Sequence, residues 1–240
     1  MKIALECKKI RRTGLVPAFL AGGAAAAALP IINTAVRTDT FAAMAGTPAS
    51  ILLDANSQML AMLNLLLLTA GACILYHIEY ADHALLKMQS LPARESGLFF
   101  GKLCLLIPLF LIVAVLETTA LYYCGMRYLD GDAALFAELL KSLGFSFLLT
   151  LPAAALSLMI ASVCRNMWNS LGICILCIFM ATMLPTDNFI ASLFPYALPF
   201  RVLPGVSADH VLRYCTAALC ETGAVCMAEI IYLKIRRLSV

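Results

Sequence analysis

The stretch EYADHALLKMQSLPARESGLFFGK, Glu79 to Lys102, decides how this chain is read. It carries Glu79, Asp82, Lys87, Arg94, Glu95 and Lys102, and long apolar runs stand on both sides, Met59–Ile78 before it and Leu98–Tyr123 after it. Apolar runs of about 20 residues are long enough to cross a bilayer. A polar, helix-forming segment held between two such runs is expected to be a short interfacial helix facing one compartment. Pro92 stops that helix or bends the entry to the next one.

Composition extends this reading to the whole chain. Of 240 residues, 62% are apolar and only 13% charged, with a mean hydropathy of +0.92. Soluble domains run at roughly half apolar and a quarter charged, so this chain has too little polar surface to cover a water-soluble core. Working outward from Glu79–Lys102, the apolar runs fall at about 15–36, 58–78, 98–124, 142–163, 168–184 and 211–233. The expected fold is an all-α membrane protein of six transmembrane helices in a single domain, 1–240.

The flanks carry further signals. Residues 1–14, MKIALECKKIRRTG, place Ile3, Cys7 and Ile10 at helical spacing on one face, with Lys2, Lys8, Lys9, Arg11 and Arg12 mostly on others. That pattern suits a helix lying in the interface with its cations near anionic lipid; the charges alone would also set topology. The small residues of AGGAAAAALP resemble a cleavage site, but the apolar run 15–36 is too long for a signal peptide's core. Gly22, Gly23 and Ala24–Ala28 give that run a smooth face suited to close helix packing, within the chain or between subunits. Residues 37–57 and 125–141 read as polar loops, the second ending in a short surface helix with Leu135, Leu139 and Phe136 turned inward. Residues 185–210 are broken by Pro185, Pro195, Pro199 and Pro204 yet stay apolar, the mark of an outer segment dipping into the membrane edge. Non-helical backbone at that depth must be covered by protein or water.

Charge placement orients the spans. With both termini inside, Arg37, Arg127, Lys141, Arg201 and Arg213 lie outside and the other twelve of the seventeen Lys and Arg lie inside. By the positive-inside rule both termini and the Glu79–Lys102 segment are cytoplasmic. A net charge of +3 with no gathered basic patch excludes nucleic acid as a partner. Most of the ten cysteines lie in or beside apolar runs, where a thiol acts as a small hydrophobe. Cys124 and Cys215, both near the outer face, are the one pair placed for a disulfide.

Catalytic patterns are mostly missing. HIEYADH, around His77 and His83, is not the HExxH zinc pattern, and histidines six apart do not share a helix face. The CxxC of Cys174 and Cys177 lies mid-span without a βαβ context. GLFFGK, Gly97–Lys102, has three residues between its glycines where a phosphate loop needs four, and Leu103 replaces the required Ser or Thr. No cofactor is therefore expected on this chain. Inside the predicted spans stand Asn64, Glu117, Glu221 and Glu229. An ionisable group in the membrane marks a functional site by default. Glu229 has Lys234 and Arg236 nearby for an interfacial pair, which leaves Glu221, Glu117 and Asn64 as candidates for an intramembrane polar path. For each, a structural hydrogen bond to a neighbouring helix is the competing account.

Two local sequences carry a family resemblance. ECKKIRRTG, Glu6–Gly14, resembles the "E..K.rRT" opening of type-2 ABC exporter permeases of the lantibiotic-immunity and bacitracin-export branch. ALLKMQSLPARESGLFFGKL, Ala84–Leu103, resembles their "K...LP..R.....gK" segment. The order of elements is similar over essentially the whole chain. The resemblance implies that residues 1–14 are the elbow helix and about 82–95 the coupling helix, which presses into a cleft on a cytoplasmic ABC ATPase. Leu85, Leu86 and Met88 would pack there, with Asp82, Lys87, Arg94 and Glu95 as polar contacts or lipid anchors. It also implies a second permease subunit, the same chain or a paralogue, membrane lipid around both, and ATP and magnesium held by the ATPase. The implied cargo is an amphipathic peptide antibiotic or a lipid-like compound. An intramembrane enzyme acting on lipid or peptide, and a scaffold or sensor subunit without transport, are the alternatives.

Overall fold

A computed structural model of the chain describes residues 14–81, 96–129, 131–164, 166–184, 189–205 and 208–238, and every regular element among them is helical. In order these are α1 (Leu15–Val36), α2 (Thr38–Ala42), α3 (Pro48–Ala81), α4 (Ser96–Tyr128), α5 (Ala133–Val163), α6 (Met167–Met183), α7 (Phe189–Ser192), 3₁₀ turns at Leu198–Phe200 and Leu203–Gly205, and α8 (Ala208–Leu238). Five of them, α1, α3, α4, α5 and α8, are long and apolar enough to cross a membrane. The apolar α6 has 17 residues, or about 26 Å at 1.5 Å per residue, a little short of the ~30 Å hydrocarbon core. The basic segment 1–13 and the segment 82–95 lie outside the described residues.

The helices extend further than the apolar runs. The polar stretch 37–57, expected as a loop, is mostly helical: α2 occupies its start and α3 begins at Pro48. Local chemistry explains the early start. Pro48 occupies the first helical position, and the Thr47 hydroxyl accepts from the Ser50 amide at 3.3 Å as a cap. The polar residues are then satisfied inside the bundle, since Asn33 of α1 donates to the Asn56 carbonyl oxygen at 2.9 Å and Asn56 donates to Leu52 O. The second expected loop shrinks likewise to the few residues between Tyr128 and Ala133. Leu135 and Leu139 are buried as the spacing predicts, but Phe136 is exposed and meets Tyr122 edge-on.

α5 is the centre of the bundle, packing on α3, α4, α6 and α8. Its buried Ala153, Ala154, Ala155 and Ser157 keep its surface smooth, which allows neighbouring backbones to approach closely. Phe147 of α5 stacks on Phe110 of α4, with centroids 5.6 Å apart. α1 lies along α4 and α3, and its small-residue face serves this contact: a Cβ at Gly23 would stand 2.9 Å from Val113, and one at Gly22 2.8 Å from Leu67. Ala21, Ala24 and Ala25 remain exposed. A closer approach is at Gly71 of α3, where a Cβ would sit 2.5 Å from the fully buried Phe19 ring. Gly71→Val is therefore expected to destabilise the bundle by about 1–3 kcal/mol through overpacking, read as a lowered melting temperature in detergent; Gly144→Val, where a Cβ meets nothing within 4 Å, is the control.

Residues 189–205 are broken as their prolines predict, and they fold against α3, α5 and α8. Tyr196 and Leu198 are completely buried. Ser157 already donates to Ala153 O at 2.7 Å, so in its 2.8 Å contact with Tyr196 the tyrosine hydroxyl is the donor. All nine cysteines among the described residues are free thiols, Cys124 and Cys215 included.

Candidate functional site

Two polar assemblies interrupt the apolar bundle. The first joins the helix ends on either side of 82–95. Lys102, near the start of α4, is 1% exposed and pairs with Glu79, in the last turn of α3, at 3.3 Å. Its ammonium also donates to Leu75 O at 2.5 Å and lies 5.1 Å from the centroid of the Tyr76 ring. A lysine buried this deeply needs such compensation, because an unpaired charge in low dielectric is strongly unfavourable. Next to it, the Tyr80 hydroxyl donates to Ser162 O, tying the end of α3 to the end of α5. The Ser170 hydroxyl donates to Cys73 Sγ at 3.1 Å, tying the first turn of α6 to α3. Four helices are thus fastened at one end of the bundle.

This fastening was not evident in the sequence, where Glu79 and Lys102 read as surface charges of a polar segment. Their only signal was position, as the outermost charges of the stretch, each at the edge of an apolar run. The candidate contact residues between them, Asp82, Leu85, Leu86, Lys87, Met88, Arg94 and Glu95, lie outside the described residues.

The second assembly is an open chamber between α3, α4, α5 and the 189–205 segment. Here Asn64 of α3 donates to Glu117 Oε2 of α4 at 2.8 Å, both residues being at least nine-tenths buried. The structure thus brings together two of the three intramembrane polar candidates. Ser57, Thr118, Ser142, Ser146 and Thr150 also line the chamber, and Arg201 stands on its 189–205 wall with its guanidinium 5.5 Å from the centroid of the Tyr214 ring. No ion pair joins Arg201 to Glu117 among the described residues.

Glu221 stands apart from the chamber on α8. Both of its carboxylate oxygens are buried without a hydrogen-bond partner among the described residues. Glu229 is fully buried further along α8; of its expected partners Lys234 is exposed, and the Arg236 side chain lies outside the described residues.

Several long apolar helices packed around buried polar side chains define a multi-pass membrane protein. A family profile described as "ABC-2 family transporter protein" matches residues 2–181, and the chain belongs to that family. It is therefore the membrane component of an ABC transporter, which works with an ATPase partner. No curated protein and no solved structure matches the chain.

Proposed function

We propose that the chain is the permease subunit of an ATP-driven exporter, expelling amphipathic peptide antibiotics of the lantibiotic or bacitracin kind, or lipid-like compounds. The observation that carries this reading is the buried Glu79–Lys102 pair. It fixes the two helix ends from which 82–95 is suspended, so that a push on that segment moves α3 and α4 together. A short element fixed to rigid helices suits rigid-body transmission from an ATPase to the membrane. Asp82, Leu85, Leu86, Lys87, Met88, Arg94 and Glu95 are the proposed ATPase contacts. ATP and magnesium belong to the partner chain, and this chain supplies no catalytic group.

In this reading α6 completes a set of six spans, residues 1–14 form an elbow on the lipid surface, and both termini face the cytoplasm in line with the distribution of basic residues. Two permease subunits, identical or paralogous, frame the export route. Glu221 has no donor among the described residues, and a second subunit is the source of one. Asn64 and Glu117 line the route within each subunit.

The test is co-purification from the native membrane with mass-spectrometric detection. The wild-type chain is expected to carry an ABC ATPase. Joint charge reversal, Lys87→Glu with Arg94→Glu, is expected to cut its recovery by about tenfold or more, corresponding to ~1.4 kcal/mol. Equal recovery with the reversed chain would remove the proposed coupling contacts, and no ATPase in several mild detergents would remove the exporter reading.

A further inference from the structure

The Asn64–Glu117 pair leaves two acceptor atoms in the chamber without donors. The Asn64 amide nitrogen donates to Glu117 Oε2, which leaves Asn64 Oδ1 directed elsewhere. Asn64 Oδ1 and Glu117 Oε1 are both buried and have no hydrogen-bond partner. Three of the five lining hydroxyls are committed elsewhere. Thr118 donates to Ala114 O at 2.8 Å, Ser146 to Ser142 O at 2.6 Å and Thr150 to Ser146 O at 2.7 Å. With their protons committed to their own helices, these oxygens offer only lone pairs. The remaining wall is apolar, with Leu60, Phe110, Leu121 and Phe147 prominent.

The geometry points to the chamber as a binding site for a primary ammonium group carried on an apolar body. This rests on the permease reading and deepens it, by naming the group that a cargo presents. An ammonium brings three donors and one positive charge, which matches the open Glu117 Oε1 and Asn64 Oδ1 together with the lone pairs of the committed hydroxyls. A divalent cation would call for several carboxylates or a tight oxygen shell, and Glu117 is the one carboxylate among the lining residues. A quaternary ammonium has the charge but no N–H, so it leaves the acceptors unsatisfied. The apolar walls suit the body that follows the amine. Arg201 at the edge of the chamber opposes a cation, so its removal should favour one.

The experiment is equilibrium binding of tritiated n-hexylamine to the purified full-length chain in detergent, followed by scintillation proximity. Competitors are hexan-1-ol, hexyltrimethylammonium and potassium chloride. Hexylamine is expected to compete at least about tenfold better than each of them, the margin of a charge-assisted over a neutral hydrogen bond. Glu117→Gln, which keeps shape and loses charge, should weaken binding by a similar factor, whereas Arg201→Gln should tighten it. Equal competition by hexanol, by the quaternary amine or by potassium overturns the proposal, as does unchanged affinity in a Glu117→Gln chain of native helicity and elution volume. The competition series on the native chain decides the matter whether or not Glu117→Gln folds. Because ATPase recovery is measured separately, lost amine selectivity beside intact ATPase binding overturns this inference and leaves the permease reading standing.

Discussion

Lys102→Ala is expected to destabilise the protein by about 3–5 kcal/mol, the usual cost of removing one partner from a buried ion pair. The substitution leaves Glu79 in a site that is 1% exposed and deprives Leu75 O of an added donor. Glu79→Ala should cost a comparable amount, because the buried lysine ammonium then loses its carboxylate partner. The double variant Glu79→Leu with Lys102→Met should recover most of the loss, since a buried pair replaced by apolar groups of similar volume is often neutral or stabilising. Thermal unfolding in detergent of the wild type, Glu79→Leu, Lys102→Met and the double variant makes a double-mutant cycle, and additive losses would show that the two charges do not act as a pair. The double variant also separates folding from function. It is expected to restore the melting temperature, while ATP-dependent transport stays impaired if fastening by charge, rather than packing, sets the register of α3 against α4.

Tyr196→Ala is the second large effect expected, at about 3–5 kcal/mol for loss of a fully buried aromatic ring. The ring touches Phe194, and its hydroxyl reaches Ser157 at the centre of α5, so the substitution opens a cavity where the broken segment meets α3, α5 and α6. Tyr196→Phe removes only the hydrogen bond, and about 1 kcal/mol is expected. Limited proteolysis provides a second readout. Tyr196→Ala should expose the 189–205 segment to cleavage at protease concentrations that leave Tyr196→Phe intact. Equal protection in both would mean that Leu198 and Pro199 suffice to hold the segment.

Much of this architecture was legible in the sequence because burial in lipid is written as long apolar runs. The runs around 98–124 and 142–163 became α4 and α5, and the prolines of 185–210 announced a segment that no continuous helix could traverse. Polar residues were less legible, because their partners are distant in sequence. Asn56 and Ser57 looked like loop residues until α1 supplied Asn33 and the chamber accommodated the serine. Lys102 lies 23 residues from Glu79, and Glu117 lies 53 from Asn64. Nothing in local periodicity links positions so separated. Isolated polar residues within apolar runs were still a usable signal, and it located both members of the Asn64–Glu117 pair without showing that they meet. Phe136 illustrates the reverse limit, since a large apolar side chain facing outward costs little where the surroundings are lipid.

Proline placement has a mechanical consequence for the long helices. α1, α4 and α5 carry Pro30, Pro108 and Pro152 in their interiors, whereas the only proline of α3 is Pro48 at its first turn. A proline interrupts the hydrogen-bond ladder and lets a helix flex there. α3, with 34 residues, is an uninterrupted strut about 50 Å long. It carries Glu79 at one end and, about 22 Å away along its axis, Asn64 on the wall of the chamber. A displacement applied at the Glu79 end therefore reaches the chamber with little lost to bending, while its neighbours can yield at their prolines. The bundle thus pairs one stiff pushrod with three jointed members, so that a stroke delivered at one end changes the shape of the chamber instead of shifting the assembly as a block.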